Sequence, residues 1–212
     1  MIYNEGMDKI IWQTHEWELT DLPDEFKASM DSWRTLNPGW DYRYVSARER
    51  LEHIEKYYEK DLLKFYKQCD KLTQADLWRY LILYKFGGVY SDMDWKCIRP
   101  IDDVMMSEYK ENSIMLYDMG YREIHPFTNS VIGSNSSQLV FKELIDSAIE
   151  KFKSLPEDRP DEPCGNGCCY NNGKNCNGRN DYYLGYKYFS ILMEKNIGSV
   201  NPVFNFVALQ MD

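Results

Sequence analysis

Asp92 and Asp94 stand one residue apart, directly after the short apolar run Val89-Tyr90-Ser91. At the end of a strand the side chains no longer have to alternate between faces, so both carboxylates can turn toward a single divalent cation. Oxygen ligands suit a hard ion such as Mg2+ or Mn2+, which commonly keeps its other positions for water and for the phosphates of a bound nucleotide. The spacing alone is weak, because Glu16-Trp17-Glu18 repeats it in a chain with 34 acidic residues, and a solvated loop is the plain alternative. Asp76 and Arg79 form a second pair. Three residues apart on a helix, they share one face about a turn from each other, an arrangement that an ordinary exposed ion pair would also produce.

These residues need a helix and a strand to position them. Ala75 to Phe86 reads as an amphipathic helix, with Leu77/Leu81/Tyr84 and Trp78/Ile82/Lys85 in two rows at helical spacing and Gly87-Gly88 where a left-handed C-cap is required. Val89 to Ser91 then delivers the two carboxylates.

Taken together, Ala75-Asp76-x-x-Arg79-Tyr80-x-x-Leu83-x-x-x-Gly87-Gly88-Val89-Tyr90-x-Asp92-x-Asp94 resembles the signature of the DXD-containing sugar-binding-region glycosyltransferases, family 32. More distantly it is similar to the glucosyltransferase domains of the large bacterial toxins. Lys9-Ile10-Ile11-Trp12-Gln13-Thr14 looks like the family's first strand, Ser32-Trp33-Arg34-x-x-Asn37-Pro38-Gly39-Trp40-x-Tyr42 like its next helix and turn, and Pro126-x-x-Asn129-Ser130-x-Ile132 like the segment that returns to the donor site. Roughly the first 150 residues carry the likeness, and the combination is far more specific than any one motif.

The resemblance implies an α/β chain of the glycosyltransferase-A, Rossmann-like fold, with a mostly parallel central sheet flanked by helices. It implies metal-dependent transfer of a hexose, with retention of configuration, from a UDP-hexose or GDP-mannose donor to a hydroxyl acceptor on a glycan, protein or lipid. Asp94, assisted by Asp92, would hold Mn2+ or Mg2+; Arg79 and Asp76 would bind the sugar hydroxyls or the diphosphate, Tyr90 the ribose, Asn129 the sugar, and Trp12 would stack on the nucleobase. Asp76, Arg79, Asp92 and Asp94 are thus the expected catalytic set. A front-face retaining route needs no protein nucleophile. No Ser-His-Asp or Cys-His set stands out, and His15, His53 and His125 lie in unrelated contexts.

Composition narrows the field. With 212 residues and 43% hydrophobic content, a single domain over residues 1–212 is expected. A formal charge of -9 argues against a protein that grips nucleic acid by neutralising phosphates. There is no signal-like N-terminus and no 18-residue apolar stretch, so a soluble form without a transmembrane segment is expected: a cytoplasmic enzyme of bacterial or viral type, or a trimmed soluble form of a secretory-pathway enzyme. Aromatic residues make up 15% of the chain, and Tyr and Trp suit sites that stack a base or a sugar ring.

Along the chain, Ile10-Ile11-Trp12 reads as a buried first strand ending at Trp12, where open α/β sheets bind ligands. Pro23 opens a helix with Phe26, Met30, Trp33 and Asn37 on one face, and Trp40, Tyr42 and Tyr44 alternate as a half-buried strand, completing a βαβ unit. Arg48 to Gln68 reads as helical and heavily charged, with His53 solvated. Ile98 to Ile101, Ile114 to Tyr117 and Asn129 to Gly133 read as strands, Gln138 to Lys153 and Asp181 to Lys195 as helices, and Val203 to Leu209 as a closing strand or lid. Residues 154–180 read as a Cys-, Gly- and Asn-rich insertion loop. Its Cys164, Cys168, Cys169 and Cys176 fit two disulfides, reduced thiols or a zinc site, while Cys69 and Cys97 are expected simply to pack. The Thr-Gly-Pro motif that the family carries in this region is missing, which bears on the acceptor side.

Two other readings compete: a catalytically impaired module of the same fold that binds nucleotide sugar or glycan, and a metal-dependent phosphoryl-transfer enzyme. The second would need more acidic ligands and a basic groove.

Overall fold

The structure is a computed structural model that describes residues 7–107, 114–118, 127–153, 189, 200–203 and 207–209. Its sheet grows around β1 (Ile10–His15), whose four middle residues are all buried. α1 (Asp24–Leu36) carries the chain to β2 (Asp41–Ser46), which lies parallel to β1 on one side. On the other side β1 pairs in parallel with β3 (Gly88–Ser91). Connections leave β1 in both directions, so the crevice beyond the carboxyl ends of β1 and β3 is a topological switch point, the place where open α/β sheets bind ligands.

The sheet continues through β6 (Phe127–Ser134), β5 (Ile114–Asp118) and β7 (Val200–Val203), giving the order β2-β1-β3-β6-β5-β7. β6 runs antiparallel to both of its neighbours, and the other pairs are parallel. The expected mixed, mostly parallel sheet is therefore present, with a single reversed strand. A separate ribbon pairs β4 (Trp95–Cys97) with β8 (Val207–Leu209).

Strand alternation divides the core into two layers. Ile11, Val89 and Val131 join Trp33, Trp40, Trp95, Ile101 and Val104 on the side covered by α1 and α5 (Ile101–Ser107). Their neighbours in sequence, Trp12, Tyr90 and Ile132, join residues of α2 (Ala47–Tyr57), α3 (Lys60–Gln68), α4 (Lys71–Phe86) and α6 (Leu139–Lys153) on the other.

α4 starts four residues earlier than its apolar rows suggest. The Asp70 side chain accepts from the backbone N–H and the hydroxyl of Thr73, a strong N-cap. Nor is the helix amphipathic: Asp76 to Leu83 is buried without interruption, because the sheet, α3 and α6 all pack on it. At its end Gly87 has φ 65° and Gly88 φ 95°. A Cβ on Gly88 would stand 2.5 Å from the carbonyl oxygen of Ile10, so a side chain there would push β3 away from β1.

Other expectations need correction. The stretch from Arg48 to Gln68 is helical as expected but broken once, where Tyr58 and Glu59 are extended and the Tyr58 hydroxyl donates to the Leu81 carbonyl of α4. Ile98 to Ile101 is not a strand: pairing ends at Cys97, and Ile101 opens α5, its backbone N–H held by the Asn37 side chain. Val203 and Leu209 belong to different strands, β7 and β8. His53 is half-buried rather than solvated, stacked on Trp78 and edge-on to Trp12. Cys97 is buried and Cys69 partly so, both as free thiols. The insertion loop at 154–180 with its four cysteines lies outside the described residues, as does the helix expected from Asp181 to Lys195 except for Phe189, which stacks on Tyr80. Among the described residues no helix is long and apolar enough to cross a membrane.

Gly88→Ala is expected to cost ~2 kcal/mol through the forced contact and the positive φ, lowering the melting temperature by roughly 4–8 °C in a thermal melt. A shift below about 1 °C would show that β1 and β3 can move apart freely.

Candidate active site

Arg79 stands at the centre of the site. It is 3% exposed, and its Nη2 lies 3.0 Å from a carboxylate oxygen of Asp76, one turn back on α4, and 3.0 Å from one of Asp92, just past β3. Nη1 donates to the Asn129 carbonyl on β6 at 2.6 Å, and the guanidinium carbon sits 4.7 Å over the Tyr90 ring. One side chain thus joins α4, β3 and β6. Burial opposes its charge, yet Asp92, Tyr90 and Asp76 together hold its pKa above the ordinary arginine value. Its Nε is buried and, among the described residues, has no hydrogen-bond partner.

Asn129 ties the carboxylate of Asp76 in place, its Nδ2 donating to Asp76 at 3.1 Å and to the Tyr80 hydroxyl at 3.0 Å. Burial, followed by the Asp76 charge, raises the pKa of Tyr80, so the phenol stays neutral. The Tyr90 hydroxyl donates to the same Asp92 oxygen that faces Arg79, and burial raises the Tyr90 pKa well above its usual value.

Asp94 differs from Asp92. It is exposed at the mouth of the site, but its carboxylate lies low among protein atoms and beside Asp92. Desolvation first and the Asp92 charge second raise its pKa. Arg79 acts against this rise, yet it is already engaged with two other carboxylates. The mouth of the site therefore carries negative charge that its own cation does not neutralise.

Six of the seven residues expected from sequence come together: Asp76, Arg79, Tyr90, Asp92 and Asn129 form one bonded cluster, and Asp94 opens from its edge. The exposed i,i+3 pair allowed by spacing is excluded, since Asp76 and Arg79 are 4% and 3% exposed. Trp12 is the exception. It lies in the middle of β1 rather than at its end, is 1% exposed, and donates from its indole to the Gly87 carbonyl at 2.9 Å. Trp78, His53 and Phe86 surround it and Arg43 covers its ring, so no face is open for a nucleobase. Trp12 instead ties down the α4–β3 turn. It also lines a cleft of about 550 Å³ beside the edge strand β2, with Tyr42, Arg43, Tyr44 and His53, but Asp76, Asp92 and Asp94 are not among the residues that line that cleft.

Sequence reading missed Tyr80 and Gln13. Tyr80 lay inside the quoted motif but had no spacing partner in the sequence. Gln13 is fully buried in β1, a position where an apolar residue is the ordinary choice, and this polar interruption of an apolar strand was the available signal.

Known proteins resemble this chain in sequence and in fold. Residues 23–111 match the family model described as the glycosyltransferase sugar-binding region containing the DXD motif. Inositol phosphoceramide mannosyltransferase 3 of Schizosaccharomyces pombe is 30% identical over 132 residues, 60% of this chain and 36% of that protein. The chain spans between 20% and 39% of the length of eight curated relatives it matches. Among solved structures, the ligand-free glycosyltransferase domain of the YGT toxin superposes with a TM-score of 0.65 at 9% identity, covering 97% of this chain and 81% of that one. The UDP-bound form of the same domain gives 0.62 at 8%, with the same coverage. The fold is the glycosyltransferase-A type, as the resemblance implied.

Arg79→Met removes the partner of two carboxylates and is expected to destabilise the chain by about 3 kcal/mol, the low end for breaking a buried pair because Asp92 is partly open to solvent. Urea denaturation reads this directly, and a loss under about 1 kcal/mol, the range of exposed pairs, would contradict the central role given to Arg79.

Proposed function

We propose that this chain, which carries a glycosyltransferase sugar-binding region at residues 23–111, moves a hexose from a nucleotide diphosphate sugar to a hydroxyl acceptor in a metal-dependent, configuration-retaining reaction. One observation carries the reading: a buried arginine joins carboxylates from two elements at a sheet switch point, beside a third carboxylate left with uncompensated negative charge. A structural ion cluster would have no use for the third, and a bound diphosphate would be repelled by it unless a cation came with the ligand.

The donor set fits such a cation. Asp94 is open, and desolvation together with Asp92 has raised its pKa, which marks a place where positive charge is stabilising. Among the described residues no group of three or more His, Cys, Asp and Glu side chains gathers. Two carboxylates, with diphosphate oxygens and water completing the shell, is how Mg2+ and Mn2+ commonly bind with nucleotides. Asp94 would be the main ligand and Asp92 the lesser, since one Asp92 oxygen already serves Arg79 and Tyr90. The ion would neutralise the diphosphate as it leaves.

The chain's own residues do the remaining work. Asp76, fixed by Asn129, would accept hydrogen bonds from sugar hydroxyls. The Nε of Arg79 would donate to a sugar or phosphate oxygen while its Nη groups remain tied, so it binds without losing its place. Tyr90, stacked under Arg79, would meet the ribose. Mannose is the sugar to test first, given the printed activity of the relatives, with GDP-mannose as donor and UDP-hexoses next because the YGT domain was solved with UDP. The acceptor would be a hydroxyl on a glycan or on a lipid-linked polyol, in line with the inositol phosphoceramide named for the yeast relative.

Asp94→Asn tests the proposal with little risk to folding, because the residue is exposed. Hydrolysis and transfer from GDP-mannose with Mn2+ should fall by about 100-fold or more, while the melting temperature without ligand moves by less than ~2 °C. Unchanged turnover in a folded variant would remove the metal from the mechanism. Unchanged Mn2+ binding with no turnover in the native chain would point to the binding module instead.

A further inference from the structure

Asp92, Met93, Asp94 and Trp95 form a tight turn whose backbone is held from beneath by buried polar groups. The Asp92 N–H donates to the Ser130 carbonyl at 2.8 Å, and the Trp95 N–H to the Asp92 carbonyl at 3.3 Å. Gln13 Nε2 donates to that same Asp92 carbonyl at 3.1 Å and faces the Ser29 hydroxyl at 3.4 Å. Ser29 in turn donates to the Trp95 carbonyl at 2.7 Å, which also receives the Trp33 indole at 2.8 Å. Both ends of the turn therefore rest on one network rooted in β1 and α1. The Gln13 amide is oriented from behind by Tyr42, whose hydroxyl donates to Oε1 at 2.7 Å. Burial raises the Tyr42 pKa, so this phenol remains a donor at any ordinary pH.

Gln13 and Ser29 are both fully buried between apolar layers. Polar groups there cost free energy unless every one is satisfied, and apolar residues of the same size would fill the space at no such cost. The network's contacts end on the carbonyls of Asp92 and Trp95, the two ends of the turn that carries both carboxylates, and that placement explains why polar groups occupy the position.

We infer that Gln13, oriented by Tyr42 and seconded by Ser29, is a positioning residue that sets the spacing of Asp92 and Asp94 for a divalent cation. The inference rests on the metal reading of the site given above. Gln13 touches neither cation nor donor; it acts through the backbone of Asp92. Its loss should therefore weaken cation binding more than it weakens the fold, as groups bonded behind metal ligands generally do.

The test uses the full chain with Mn2+ and GDP as probes, counting free Mn2+ by electron paramagnetic resonance. Gln13→Met keeps the length of the side chain and removes its hydrogen bonds. It should raise the Mn2+ dissociation constant in the presence of GDP by about tenfold or more. Tyr42→Phe leaves Gln13 in place but unoriented, and should raise the constant by a smaller factor, about two- to threefold. Because Tyr42 is only half-buried, this variant also reads the network if Gln13→Met does not fold. In both, excess Mn2+ should restore most of the donor hydrolysis rate. A lower melting temperature with an unchanged Mn2+ constant would show a purely structural role and overturn the inference, as would no change in either quantity. If the native chain bound no Mn2+ with GDP, the metal reading itself would fail and the inference with it.

Discussion

A guanidinium cannot be buried without partners, and that constraint shapes the site. Removing Arg79 from water costs several kcal/mol, which only close and well-aligned carboxylates can offset. Asp76 on α4 and Asp92 beyond β3 provide them, and the Asn129 carbonyl on β6 takes a further N–H. Because the three partners come from three elements, the charge fixes how helix and strands meet. Conversely, the elements hold the carboxylates in one arrangement. The ion cluster is both the joint of the fold and the floor of the proposed donor site.

Other features protect that joint. Gly87 and Gly88 let the chain leave α4 and enter β3 within van der Waals reach of β1 and of the turn after β6, and Trp12 caps the Gly87 carbonyl from the core. The Gln13 network steadies the turn that follows. The stretch that carries the proposed site is thus gripped before and after β3, leaving Asp94 as the member most open to solvent. Such rigidity suits the electrostatic role proposed for this site, since dipoles and charges already in place need no reorganisation when a leaving group departs.

Much of this was legible in the chain because the signals were local. The Gly-Gly stop, the i,i+3 spacing of Asp76 and Arg79, and the carboxylates one residue apart each depend on neighbours within a turn. The βαβ start followed from apolar periodicity around Pro23 and Asn37. What could not be read depended on distant contacts. α4 looked amphipathic because its polar residues, Asp76 and Arg79, break its apolar pattern, yet they are buried and satisfied by β3 and β6. Trp12 looked like a stacking surface because its motif was read without the α2 and α4 side chains that enclose it. The break at Tyr58 within the helical 48–68 stretch goes with a hydroxyl that reaches Leu81 on α4, a contact that spacing does not reveal.

The most direct measurement is anomalous diffraction at the manganese edge from crystals of the chain grown with GDP and Mn2+. A peak bonded to a carboxylate oxygen of Asp94 and to a diphosphate oxygen, with Arg79 still paired to Asp76 and Asp92, is the expected result. A diphosphate bound elsewhere, or manganese on other residues while Asp94 faces bulk water, would contradict it.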